Sequence, residues 1–370
     1  MSATLTMLTF ASCSGDDATG DTNIPNDQLR TVRLYLNVPS ATTTARVADP
    51  GSPTEEGEDW DQLAVMIESA DNPKQSITAD GNRYYVRTLS KADYEALPLD
   101  GGYRWLPIDL VEGSQVYIYG VTYSEGVTGN PTQAIQGIVK AGSGSFADME
   151  IPNDYSAVNG QIDAAKFLSV ATGYYEKDGN RVFTVTQPKG DIHDPNTMPT
   201  MTLTRLAAKI DIQWDAQEAY VLENNENIYY EEVSVDNFMF YTSTSQETSI
   251  DDGETGTGFL FPDLNHTGTA TPGKKEFYNT SPISKRNGRI YHYVFPDGEN
   301  NPCVTFHISA TKKQEGTTDT KVDKDYTFNF TQPLRKSTWY KINTTIKGLE
   351  NNNTTINITL ERPGGTATTE

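Results

Sequence analysis

The sequence predicts an all-β chain folded as two tandem antiparallel β-sandwich domains with few short helices. Three observations predict it. At 370 residues the chain is long enough for two ordinary domains. Short runs rich in Val, Ile, Tyr and Phe recur along it with strand-like alternation, separated by Gly, Asn and Pro. Helix-like windows are few, chiefly Lys91 to Leu97, with Ser90 as a possible N-cap, and Asp215 to Glu223. Composition supports a packed core, since 36% hydrophobic and 10% aromatic residues make wholesale disorder untenable. A formal net charge of −21 opposes phosphate backbones and anionic headgroups, so no nucleic-acid partner is expected. Beyond the N-terminus no run approaches the roughly 18 apolar residues of a spanning helix.

Taken in order, residues 1–28 read as a signal and tether. Thr4 to Ala11 is a short apolar stretch running into Phe10, Ala11, Ser12 and Cys13. That is the shape of a bacterial lipobox: a bulky residue, two small ones that let a peptidase close on the backbone, and a cysteine whose thiol receives the lipid. Cys13 is therefore the expected lipidation site. The following Ser14, Gly15, Asp16 and Asp17 resemble the acidic tether of surface lipoproteins in the Bacteroidales. No Lys or Arg precedes Cys13, so the precursor is expected to begin upstream.

Residues 29–199 form the first predicted sandwich. Its first strand, 29–38, places Val32, Leu34, Leu36 and Val38 on one face and Arg33, Tyr35 and Asn37 on the other. Further strands are expected at Gln62 to Glu68, Arg83 to Leu89, Gln115 to Tyr123 and Arg181 to Thr186. The Pro-punctuated stretch from Gln187 to Pro199 reads as a linker. Residues 200–349 form the second sandwich, opened by one long strand from Leu203 to Trp214. Leu206, Ala208, Ile210, Ile212 and Trp214 line its buried face, and Arg205, Lys209, Asp211 and Gln213 its outer face. Another strand is expected at Tyr291 to Phe295. The tail, 350–370, carries a last alternating run in Ile356, Ile358 and Leu360.

Signs of catalysis or cofactor chemistry are lacking, so the chain is read as a non-enzyme with no cofactor and no metal site. The histidines at 193, 266, 292 and 307 have no zinc-site spacing, and neither a nucleophile elbow nor a P-loop is found. Asp251, Asp252 and Glu254 read as a solvated turn. Two cysteines make no disulfide framework, and Cys303 reads as a buried small hydrophobe within a strand.

Several stretches in order resemble the fimbrillin superfamily, the type V pilins of the Bacteroidales. They are the lipobox and acidic tether; Thr202 to Gln213, with Arg205, Ala208, Lys209 and Ile210; Tyr291 to Pro296 followed by Cys303 to Ala310; and Leu334 to Gly348. The resemblance implies transthyretin-like sandwiches and a structural pilin of a cell-surface fimbria, anchored as a precursor to the outer membrane. It also implies processing by a trypsin-like protease after an arginine, loss of the first strand, and polymerisation by donor-strand exchange with identical or related subunits. In this sequence Arg46 lies in a stretch with almost nothing to bury, so cleavage between Arg46 and Val47 is expected, with Arg30 and Arg33 as rivals. Val32, Leu34, Leu36 and Val38 would be the removable strand, and Ile356, Ile358 and Leu360 the donor. The tail can equally be read as the last strand of its own second domain. A glycan-binding surface lipoprotein of a nutrient-uptake system is the competing function, with Trp60 and Trp105 as sugar platforms, whereas Trp214 and Trp339 read as core.

Overall fold

The computed structural model describes residues 25, 28–38, 60–124, 131–152, 157–158, 169–186, 198–223, 226–241, 257–264, 285–294, 296, 301, 303–349, 354–361 and 368–369. In the first half the strands are β1 (Leu29–Asn37), β2 (Gln62–Ser69), β3 (Tyr84–Ser90), β4 (Leu99–Asp100), β5 (Tyr103–Val111), β6 (Gln115–Tyr123), β7 (Glu150–Pro152), β8 (Ala157–Val158), β9 (Ala171–Tyr174) and β10 (Phe183–Thr184). The second half follows with β11 (Thr200–Thr202), β12 (Thr204–Arg205), β13 (Ala208–Gln217), β14 (Ala219–Glu223), β15 (Glu226–Tyr241), β16 (Thr257–Phe259), β17 (Asn287–Val294), β18 (Cys303–Gln314), β19 (Thr320–Asn329), β20 (Trp339–Lys347), β21 (Thr354–Glu361) and β22 (Thr368–Thr369). The described helices are α1 (Lys91–Glu95) and α2 (Pro131–Ala141), with a 3-10 turn at Phe146–Asp148.

The fold is all-β, and its sheets are mostly antiparallel. One pair consists of β11-β1-β5-β4 and β12-β9-β6-β2-β3, the latter also pairing β10 along β6. Between them lie Val32, Leu34, Leu36, Leu63, Val65, Ile67, Leu106 and Ile108. Strand β2 is buried on both faces, because Ala64 and Met66 enter a second cluster under α2 and the 3-10 turn. That double burial explains its unbroken apolar run, whereas a half-buried strand alternates. The other pair, β22-β21-β20-β13-β17-β8 and β14-β15-β18-β19, encloses a core built around Ile210, Ile212, Trp214, Phe306, Ile308 and Ile342. Among the described residues two strand pairs are parallel, β1 with β11 and β13 with β20.

Several sequence expectations change here. Asp215 to Glu223 forms no helix: it completes β13 and continues into β14, which turns back on β15 in register Ala219 to Tyr230. Helix α2 was not expected from the sequence, yet it forms and buries Pro131 and Ile135. Ser90 does cap α1, accepting from the Asp93 backbone N–H in a capping box.

The expected single strand from Leu203 to Trp214 is divided between two sheets, β12 in one and β13 in another, and β11 just before it belongs to a third. Met201 and Leu203 pack in the first core, Leu206 and Ala207 under α2, and Ala208 onward in the last core. The crossover lies tightly against β9: a Cβ on Gly173 would collide with the Thr202 carbonyl oxygen. Alternation alone could not reveal the division, because every piece keeps the same period. The two halves also interlock, since β7 pairs with β16 and β8 with β17.

Candidate functional site

Strand β1 occupies an interior position in its sheet. It runs antiparallel to β5, with Leu34 opposite Leu106, and parallel to β11, with Tyr35 opposite Thr200. Further backbone bonds, from Tyr35 N–H to the Pro199 carbonyl and from Leu203 N–H to the Asn37 carbonyl, are 2.9 Å each. Both backbone edges of β1 are therefore engaged over Tyr35–Asn37, and its β5 edge is engaged from Leu29 onward.

Its inner face inserts Val32, Leu34, Leu36 and Val38 into the core, none more than 7% exposed. Each such side chain contributes about 1.5–3 kcal/mol when fully buried. The sequence pattern fixed this face correctly because period-2 alternation survives wherever a strand stays in one sheet.

The outer face carries more than the sequence suggested. Tyr35 is fully buried, and its hydroxyl donates to Asp100 Oδ2 at 3.0 Å. Its ring meets Tyr103 edge-on at 6.5 Å. Burial first, and then the Asp100 carboxylate, push the Tyr35 phenol above its ordinary pKa. The Arg33 guanidinium lies 4.4 Å from the centre of the Trp105 ring, a cation–π contact. Near the strand's start Thr31 donates to Asp109 at 2.6 Å, and Arg30 pairs with Glu112. Only the pairing register brings Asp100, Tyr103 and Trp105 to β1, so no local motif in the sequence announces them.

After Val38 the next described residue is Trp60, and both are buried in the same core. The chain has 21 residues between them, 39–59, to pass from one sheet to the other. Stacked sheets lie about 10 Å apart, a gap that three or four extended residues would cross. Arg46 and Val47 belong to this connection and lie outside the described residues, as does Cys13.

The tail is not beside β1. Strand β21 pairs antiparallel with β20, Ile358 opposite Ile342 and Leu360 opposite Tyr340, and β22 folds back on it. The candidate donor is thus a cis strand of the second sandwich in the single chain, and donation requires its release from β20.

Neither expected sugar platform is open. Trp60 is 5% exposed in the core, edge-on to Tyr94 at 5.5 Å, and Trp105 lies under Arg33. Trp214 is core, as expected, but Trp339 faces outward between Lys209 and Lys341, 4.3 and 4.0 Å from their ammonium groups. Beside it Asp211, read from the sequence as outward, is completely buried. It accepts from Arg289 at 2.8 and 2.5 Å and from the Trp339 indole at 3.1 Å. No described helix is long and apolar enough to cross a membrane.

No protein-family model matches the chain, and no curated protein matches it. Solved structures that it is similar to include a candidate cell adhesion protein from Parabacteroides distasonis, 12% identical over 91% of this chain and 98% of that one, TM-score 0.44. A fimbrial protein from Bacteroides vulgatus is 12% identical over 90% and 99%, TM-score 0.33. The fimbrial anchor protein Mfa2 from Porphyromonas gingivalis is 11% identical over 90% and 98%, TM-score 0.37. Scores this low, at such identities, carry no functional argument of their own.

Proposed function

We propose that this chain is a structural pilin subunit of a bacterial surface fimbria that polymerises by donor-strand exchange. One observation carries the reading: β1 is an interior strand of its sheet, yet it is the first described strand and is followed by the long 39–59 connection to the rest. A cut after Arg46 would leave β1 held by noncovalent contacts alone. Its loss would open a slot between β5 and β11, with free backbone donors and acceptors on both sides and apolar pockets beneath.

In this reading Cys13 carries the lipid of an outer-membrane precursor, and a trypsin-like protease cuts between Arg46 and Val47. Related or identical subunits then join as the tail of one, through Ile356, Ile358 and Leu360, enters the slot of the next. Electron microscopy of purified protein after trypsin treatment tests it. Filaments are the expected result; cleaved protein that remains monomeric while binding sugars on a glycan array would support the nutrient-uptake reading instead.

A further inference from the structure

The slot has two faces, and the chain's own tail matches only one of them. On the inner face β1 supplies alternating aliphatic side chains, which the run Ile356, Ile358 and Leu360 can replace. On the outer face β1 supplies a cation over Trp105 and a fully buried tyrosine. The tyrosine's hydroxyl satisfies Asp100, and its ring packs against Tyr103. When β1 leaves, all of these groups lose their partners together.

In any register that keeps Ile356, Ile358 and Leu360 inside, the outward positions of the tail are Thr355, Asn357, Thr359 and Glu361. None brings a ring or a positive charge. With Ile356 in the place of Val32, Asn357 falls where Arg33 was, Thr359 where Tyr35 was, and Glu361 where Asn37 was. Thr359 is too short to fill the volume of a buried tyrosine or to reach the Asp100 carboxylate as a phenol does, and Glu361 adds a second negative charge near that carboxylate.

We propose that the slot between β5 and β11 is built for a donor strand from a different subunit. That strand carries Arg or Lys and then Tyr on its outward positions, between the inward aliphatic residues. The inference rests on strand exchange as proposed above and adds the identity of the preferred donor by its chemistry. Self-assembly through the tail is then the weaker pairing, and this chain sits in a fimbria next to a subunit of another kind.

The test uses protein cleaved after Arg46 and three fluorescent peptides followed by anisotropy. One spans residues 29–38, one is the native tail 354–361, and one is that tail with Asn357→Arg and Thr359→Tyr. The first and third are expected to enter the slot, and the native tail to bind at least about tenfold more weakly than the third. A difference of that size is what one hydrogen bond to a charged group plus one cation–π contact supplies. In Asp100→Asn, Trp105→Leu protein the preference for the third peptide should shrink towards none. Equal binding of the two tail peptides, with the 29–38 peptide entering, overturns the donor preference and leaves strand exchange standing. Entry of none of the three, the 29–38 peptide included, overturns strand exchange itself and the preference with it.

Discussion

At the residue scale, the most informative side chains are the polar ones that the fold has buried. Asp211 sits beneath the Arg289 fork and the Trp339 indole with no exposed surface. Asp211→Ala leaves a guanidinium and an indole donor without their acceptor, so urea unfolding should show a loss of about 3–5 kcal/mol. A loss under about 1 kcal/mol would mean that water replaces the carboxylate freely. Glu68 makes a parallel case: it is 1% exposed, pairs with Lys74 at 2.5 Å and accepts from Ser145. Cys303 is fully buried, and burial pushes its thiol up to about 11. At pH 8 it should resist a thiol reagent in the native protein and react once urea unfolds the chain. For Tyr35 the folded phenol titrates above the ordinary value of about 10. Its contribution to seating β1 is therefore complete below that pH and is lost as pH rises through the folded value. Tyr35→Phe protein, measured the same way, should lack that share of the alkaline destabilisation. Cys303 was legible as buried from its apolar strand, but Asp211, Glu68 and Tyr35 were not, because polar side chains at alternate positions look like a solvated face until the partner across the sheet is known.

At the scale of elements, the sequence showed strands well and sheet changes poorly. The first strand was legible down to its inward residues, and α1 through its cap, because both depend on local patterns. The division of residues 200–217 among three sheets depends on which core each apolar residue meets, and period-2 alternation carries no such information. Asp215 to Glu223 looked helical by composition, yet pairing with β15 decides its state, an instance of tertiary context overriding propensity. Backbone pairing also ranks the proteolytic sites. Arg30 and Arg33 lie within β1, where the backbone is hydrogen-bonded in register with β5, and paired backbone cannot enter a protease cleft. Limited trypsin digestion with N-terminal sequencing should therefore give Val47 as the first new N-terminus. A first cut after Arg30 or Arg33, with the bond after Arg46 intact, would show that the start of β1 frays more easily than its pairing with β5 implies.

At the scale of the whole molecule, the interlocking of the halves separates assembly from folding. Among the residues whose burial is described, the second core runs from Ala208 to Leu349, and Leu349 itself is 5% exposed within it. The pairs β7–β16 and β8–β17 tie that half to the first without the tail. Because β13 pairs with both β17 and β20, and β14, β15, β18 and β19 form their sheet without the tail, a chain ended after Leu349 should keep both sandwiches, although β20 gains an open edge where β21 was. Such an edge is a site for association, so the truncated protein is best kept dilute and checked by light scattering. Cleaved after Arg46, it should accept a strand but donate none, and when mixed with intact subunits it should shorten filaments in proportion to its share. Ile358→Asp in the full chain should act in the same direction, because entry into the slot would bury an unpaired carboxylate. Filaments of normal length from the cleaved, truncated protein alone would end the case for donation through this segment. If truncation instead melted the second sandwich, seen as an early thermal transition absent from the intact chain, β21 would be an obligatory strand of its own domain. The donor would then have to be sought elsewhere.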